Sequence, residues 1–489
     1  MRIIFASVAT MTSSNLALKQ ELRPFQRQGV ADAIGKFQGR CLLGDEMGLG
    51  KTPQAIAVAE YYNAWPIIVV CPASLRWNWR REFLSWSKHV SENEIAIIES
   101  KKSPIGGKVV IISYELAVKL DVELSSIRAS MIILDESHKI KNPKAIRTKR
   151  LLAICKTTPR VLLLTGTAVL NRPIELWSQL MALRQAQFGT MWEFAKRYCN
   201  LHRGRFGWDM NGARNLEELN NRLRRDCLIR RLKKDVLQEL PPKERRRIVV
   251  QSVNQKSDES IVAECSKALK RAKGVIEHAR AIMRTKIELV TGMIFKEYSF
   301  LGSHKAPMAL EWILENATLE RPTVVFAHHI ATIAHIAAGL SQAGKSFFII
   351  DGKTPGIDRQ RYVEEFQAGK YEAALLSINA ASTGLTLTRA QDMLIVELPF
   401  SPGIAVQAED RIYRIGQKSN VTINYLISEN SMDEYVWRMI NKKSAIQGAV
   451  LDGEAKSQLE GSAMEESESA GYWRVVDQIL HDLSTKFIS

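Results

Sequence analysis

Hydrophobic residues in this chain cluster in short runs. Between Arg40 and Thr165 five such runs, RCLLGD, IIVVCP, VVIISYE, MIILDES and VLLLTGT, alternate with stretches of helical spacing. Apolar runs of this length, bounded by polar turns, read as strands buried on both faces, and their alternation with amphipathic helices reads as a parallel sheet with crossover helices. The rhythm returns between Pro322 and Ser428 in PTVVFAHH, SFFIIDG, AALLSI, MLIVELP and VTINYLIS. The expected fold class is α/β, with two parallel-sheet lobes and helical insertions between them.

The stretch from Ile174 to about Leu301 is poor in strand signals and broken by Pro241 and Pro242, and it reads as helical. Further on, Ser431 and Glu434 have capping-box spacing. They open a helix through about Lys443 with an apolar stripe of Val436, Met439 and Ile440. Glutamates among small residues from Gly448 to Gly471 read as a solvated linker. The expected organisation is a leader (1–20), a first lobe (21–173), helical insertions and an inter-lobe linker, part of it packing on the first lobe (174–300), a second lobe with its closing helix (301–445), and an acidic linker and tail (446–489).

Composition narrows the partner. Lysine and arginine outnumber the acids to give a net charge of +16 over 489 residues. Such an excess favours polyanions, nucleic acid first and anionic membrane second. No apolar run approaches the roughly 18 residues of a membrane span, so a membrane partner is not expected. The N-terminal MRIIFASVATM reads as a weakly ordered leader in which Met11 is an alternative start. Six cysteines lie at least 28 residues apart, which excludes a local CxxC knuckle and fits reduced, mostly buried thiols of an intracellular protein. His328 and His329 are adjacent at a strand end, expected on opposite faces, and have no cysteine or carboxylate cluster near them in sequence.

The most informative segment is CLLGDEMGLGKT, Cys41 to Thr52, followed by PQAIAVAEYY. Strand, glycine loop and helix form the arrangement that cradles phosphates, using backbone N–H groups of Met47, Gly48, Leu49 and Gly50 and the positive end of the helix. Lys51 is placed to reach the β and γ oxygens, and the Thr52 hydroxyl to ligate Mg2+. The strict pattern fails at one position, because Asp45 stands where the first glycine belongs. Downstream, Asp135 and Glu136 end a hydrophobic strand, the edge at which parallel α/β sheets present ligands. Hydrolysis of a phosphoanhydride needs both: Asp135 to hold the Mg2+ shell and Glu136 to orient or deprotonate water. In QAEDRIYRIGQ, Arg411 and Arg414 have the i,i+3 spacing of one helical face, suited to stabilising charge on a γ-phosphoryl group.

Taken in order, DEMGLGKT, DESH, LTGT (Leu164 to Thr167) and QAEDRIYRIGQ resemble the Swi/Snf-like motors of superfamily two. The likeness extends from Leu22 to about Lys443 through LRPFQ, VVCPASL, VVFAHH, IDGKTPGIDRQ and SINAASTGLTL. It is strongest to the annealing-helicase (HARP-type) subgroup, on RYCN with the following GWD, on LIRRLKKDVLQELPPKERR and on GLTLT. With only 21 residues before the first motif, a bare motor is expected. The resemblance implies RecA-like lobes, ATP and Mg2+ as cofactors, and ATP-driven translocation on double-stranded DNA, with strand annealing or fork remodelling as its finer form. The alternatives are a strand-separating helicase or a DNA-binding scaffold with a weak motor. It also implies that Gln26 reads adenine, that His138, Thr165, Gly166, Thr167 and Gly384 couple hydrolysis to motion, and that Gln407, Arg411 and Arg414 are the second-lobe sensor and fingers. A monomer is expected, cytoplasmic in a bacterium or virus and nuclear in a eukaryote.

Two basic runs offer addresses for the DNA backbone. Arg222 to Arg247 carries eleven basic residues against four acids, including Arg230, Arg231, Lys233 and Lys234; Lys139 to Arg150, with Lys141, carries six and no acid. In SLRWNWRREFLSW, Leu75, Trp79, Phe83 and Trp86 fall on one helix face and read as core. Trp77 lies off that stripe near Ser74, and these two complete the expected DNA-contact set.

Overall fold

The computed structural model describes residues 16–166, 172–183, 186–204, 207–210, 212–250, 279–378, 384–429 and 431–454. The leader's first 15 residues, most of the acidic tail, Thr167 and Cys265 lie outside that set. The chain forms two compact units. The first runs up to Glu239 and takes back the chain from Ala445; the second runs from Leu240 to Ser444. Within the stretch 174–300, read as helical insertions and an inter-lobe linker, the boundary between the units falls at Glu239 and Leu240.

The strands of the first unit are β1 (Arg40–Leu43), β2 (Ile67–Cys71), β3 (Ile95–Ile98), β4 (Val109–Ser113), β5 (Met131–Asp135), β6 (Arg160–Leu164), the hairpin pair β7 (His202–Gly204) and β8 (Gly207–Asp209), and β9 (Leu228–Ile229). Seven of them form an all-parallel sheet in the order β3-β4-β2-β5-β6-β1-β9. Alternate residues supply opposite faces, as strand geometry requires. Ile68, Val70, Ile132 and Leu134 join one core, while Ile67, Val69, Met131 and Ile133 join the other. Each such side chain contributes about 1.5–3 kcal/mol on leaving water.

The second unit contains β10 (Lys243–Val250), β11 (Thr323–Ala327), β12 (Phe347–Ile350), β13 (Ala373–Ser377), β14 (Asp392–Ile395) and β15 (Val421–Ser428). They make a second all-parallel sheet, β10-β15-β14-β11-β13-β12. All ten apolar runs of the sequence became strands.

Strands also occur where helices were expected. β7, β8 and β9 are two or three residues long, too short to leave a periodic trace. β10 was hidden by its charge: KERRRIVV is an edge strand whose Lys243 and Arg245 point to one face. There Lys243 Nζ donates to Glu409 Oε2 at 2.9 Å, Arg245 donates to both Glu409 oxygens at 2.6 Å, and the Tyr425 hydroxyl donates at 2.7 Å. Part of the basic run thus anchors an edge strand.

The closing helix extends beyond its expected end, over Met432–Leu451. Val436, Met439 and Ile440 enter the second unit's core as the stripe foretold. Val450 and Leu451, expected in a solvated linker, are buried in the first unit's core. The histidine pair differs too. β11 ends at Ala327, so the alternation no longer applies; both rings lie near Tyr298, and both backbone N–H groups donate to Glu397 Oε2.

Glu409 is fully buried, and its cations hold its carboxyl far below the usual glutamate range despite burial. Since the folded pKa lies below the unfolded one, the stabilisation is complete above about pH 4.3 and is lost as pH falls below it. Glu409→Gln should therefore cost about 3 kcal/mol near neutrality. In urea melts the deficit should shrink as pH falls from about 7 to about 3.5; an unchanged deficit contradicts it.

Candidate nucleotide site and DNA-facing residues

β1 runs into the loop Gly44 to Gly50, and the helix Lys51–Tyr62 follows directly. Gly48 and Gly50 have φ of +82° and +71°, the left-handed region that favours glycine, whereas Asp45 does not. The position that breaks the strict motif therefore makes no demand for glycine. A Cβ at Gly50 would also meet the Gln26 amide, which would have to move.

Asp45 is fully buried and has its own partners. Its Oδ1 accepts from Arg231 Nε at 2.9 Å and from the Arg231 backbone N–H at 3.1 Å, and its Oδ2 accepts from Gln54 Nε2 at 3.0 Å. The neighbouring Arg230 donates Nη1 to the carbonyls of Gly44 at 2.7 Å and Gly166 at 3.1 Å, and its Nε to Asp452 Oδ1 at 2.7 Å. The Lys233 backbone N–H donates to Glu46 Oε2 at 2.7 Å. With β9 beside β1, residues 227–233 strap the first part of the phosphate loop, Gly44 to Glu46.

Lys51 Nζ donates to the Asp45 carbonyl at 2.9 Å. Burial lowers its pKa, opposed by the charges of Glu136, Asp45 and Asp135. At the end of β5, Asp135 Oδ2 accepts from Trp79 Nε1 at 2.8 Å, Oδ1 accepts from the Glu136 backbone N–H at 3.0 Å, and the Asp135 carbonyl accepts from the Tyr114 hydroxyl at 2.8 Å. Burial, then the adjacent Glu136 charge, pushes the Asp135 carboxyl up to about 7. Two crowded carboxylates beside a lysine and a glycine loop are a donor set that a Mg-nucleotide would neutralise, so the residues fit that group.

Glu136 (φ +54°) directs Oε2 to within 3.3 Å of His138 Nδ1 and 3.5 Å of Thr165 Oγ1, and His138 Nδ1 lies 3.3 Å from Thr165 Oγ1. Gly166 packs against Met47, which an added Cβ would meet at 2.3 Å. The expected water-directing residue and three coupling residues are thus brought together. Gln26 is buried against the loop, with Nε2 donating to the Leu49 carbonyl at 3.0 Å. Thr52 is the second residue of the loop's helix.

In the second unit Gln407 lies in the helix Pro402–Glu409, but Arg411 and Arg414 follow its end in a series of turns, so they do not share a helical face. Arg411 Nε donates to the Gln407 carbonyl at 3.1 Å. Gly384 has φ +75°.

The expected DNA contacts separate into two groups. Ser74, Trp77 and Lys234 are at the surface; Trp77 is 56% exposed, with the Arg80 guanidinium 5.6 Å from its ring. Arg230, Arg231 and Lys233 are the strap, and Lys141 is a largely buried cation 3.7 Å from Glu175 Oε1. The expected surface placement of these four is not what the structure shows: Arg230 and Arg231 direct their charge to buried carbonyls and carboxylates, Lys141 lies beside Glu175, and Lys233 is buried. Five cysteines are buried free thiols. Sequence reasoning missed Asp45, Trp79, Tyr114 and Asp452 as parts of the site. Asp45 and Trp79 carried signals: a buried acid in an apolar loop needs a cation, and a core tryptophan N–H needs an acceptor.

A strapped glycine loop facing paired carboxylates on a parallel sheet, with a second parallel-sheet unit, defines a two-lobed P-loop ATPase. The SNF2-related domain matches residues 25–289 and the helicase conserved C-terminal domain matches residues 305–416; the chain belongs to the SNF2-related family. It is 37% identical over 437 residues to the Xenopus tropicalis SWI/SNF-related matrix-associated actin-dependent regulator of chromatin subfamily A-like protein 1, covering 88% of this chain and 45% of that one. It is 38% identical over 473 residues to the human DNA annealing helicase and endonuclease ZRANB3, covering 91% and 42%. The chain therefore spans less than half the length of these relatives. The Sulfolobus solfataricus SWI2/SNF2 ATPase core in complex with dsDNA aligns at 23% identity over 90% of this chain and 95% of that one, with a TM-score of 0.43.

Asp45→Asn removes the charge that holds Arg231 and should cost about 3 kcal/mol of stability. It should also weaken binding of a non-hydrolysable ATP analogue about tenfold, as the loop loses its preorganisation. Urea melts and titration calorimetry check the two effects.

Proposed function

We propose that this protein is an ATP-driven translocase on double-stranded DNA. One observation carries the ATPase half: Glu136, His138 and Thr165 meet past the ends of the paired strands β5 and β6, and β6 lies beside β1, the strand that leads into the Lys51 loop. Lys51 and the loop N–H groups would bind the β and γ phosphates, and Gln26 the adenine. Thr52 and Asp135 would hold Mg2+, which when bound supplies charge neutralisation to the phosphates. Glu136 would orient water and take its proton, with His138 and Thr165 holding its carboxylate. Gln407, Arg411 and Arg414 would serve as the second unit's sensor and fingers, and Gly384 and Thr167 as coupling residues. Ser74, Trp77 and Lys234 are the proposed DNA contacts.

Duplex DNA is supported by the +16 charge and by family membership. A finer form, strand annealing, is supported by likeness to relatives named annealing helicases. The protein would act as a monomer in the compartment that holds the DNA.

ATP turnover should be stimulated by duplex DNA above RNA, and Glu136→Gln should lower it by about 100-fold or more while leaving nucleotide binding intact. Phosphate-release assays with no polymer, duplex, single-stranded DNA and RNA check this. No stimulation by duplex above RNA contradicts the substrate assignment. Unchanged turnover in Glu136→Gln contradicts the catalytic one.

A further inference from the structure

The first unit exposes a pair of tryptophans that the nucleotide site does not use. Trp192 and Trp208 are 46% and 58% exposed, and their rings meet edge to face, 5.3 Å between centroids at 85°. Trp192 stands on the helix Met191–Tyr198, whose inner face, Phe194, Ala195 and Tyr198, is fixed in the core. Helical spacing turns Trp192 and Lys196 together toward solvent. Trp208 is on β8, and Arg203 of β7 is its direct cross-strand partner, so the two share one face of the hairpin. His202 and Asp209 pair on the other face. On either side of the hairpin, Leu201 and Met210 pack against the core. The hairpin is thus tied to the core on both sides.

Two anchored tryptophans interleaved with two exposed cations have the composition of a stacking site for unpaired bases beside a phosphate backbone. In an edge-to-face pair, the ring that presents its edge keeps both faces open to a base. A fully paired duplex offers no such base; a junction between duplex and single strand does.

We propose that Trp192, Trp208, Arg203 and Lys196 form a contact for single-stranded DNA at a duplex junction. This rests on the duplex-translocase reading and adds the DNA structure that the motor engages. The hairpin lies within the RYCN-to-GWD segment, so the contact belongs to the motor itself.

The test compares forked and blunt duplexes of equal length, using the full chain, fluorescence anisotropy and ATP turnover. In Trp192→Ala/Trp208→Ala, affinity for the fork should fall about tenfold while affinity for the blunt duplex, and turnover on it, stay unchanged. Trp208→Phe, which retains a stacking ring, should keep most of the fork preference. Arg203→Glu should lose fork affinity without touching either aromatic. Wild-type protein should also quench or shift 2-aminopurine placed at the junction. An unchanged fork-to-blunt ratio in both the alanine pair and Arg203→Glu overturns the proposal and leaves the patch as a protein-docking face. Absence of stimulation by either DNA in the wild type fails the translocase reading itself, and the junction contact with it.

Discussion

An ionised aspartate sealed inside a phosphate-binding loop is stable only with a cation held against it, and the nucleotide site depends on that pair. Asp45 and Arg231 meet through side chain and backbone, and Arg230 beside them takes carbonyls from both the loop and Gly166. The desolvation cost of such a pair offsets most of its Coulomb attraction, so its value lies less in net stability than in fixing geometry. Here it fixes the loop against β9, a strand that comes more than 180 residues later in the chain. Because Arg230 also pairs with Asp452, the helix Met432–Leu451 ends on the same network. The loop, Gly166 and the chain's last described turn are thereby held by two adjacent arginines.

Across the sheet a different electrostatic problem is solved. Asp135 and Glu136 are consecutive carboxylates at a strand end, and burial with mutual repulsion disfavours two charges there. Trp79 and the Glu136 N–H each donate to one Asp135 oxygen, so its orientation is set. Glu136 is turned the other way, toward His138 and Thr165, by its left-handed backbone. Adjacent carboxylates are thus held by separate sets of partners.

The strands and phosphate loop were legible in the sequence because they rest on local signals. Ten apolar runs became ten strands, and GLGKT stands on the loop and first turn of its helix. What was illegible depended on distant partners. The run Arg222 to Arg247 reads as a surface patch, yet Arg230 and Arg231 face buried acceptors, and Lys243 and Arg245 converge on Glu409. Sequence counts charge but does not say which way it points. The two-residue β9 is below the length at which any period can be seen, and KERRRIVV alternates in a way that its charges conceal. Arg411 and Arg414 keep helical spacing without a helix: past Glu409 the Arg411 N–H bonds to the Ala408 carbonyl in a turn, and its side chain takes the Gln407 carbonyl.

Translocation on duplex DNA is tested most directly by displacement of a third strand from a triplex. Coupling of hydrolysis to motion along an intact duplex predicts that wild-type protein with ATP strips the third strand without separating the duplex beneath it, and that Glu136→Gln does not. Brisk DNA-stimulated turnover with the third strand left in place would contradict translocation and leave an ATPase that binds DNA without moving along it.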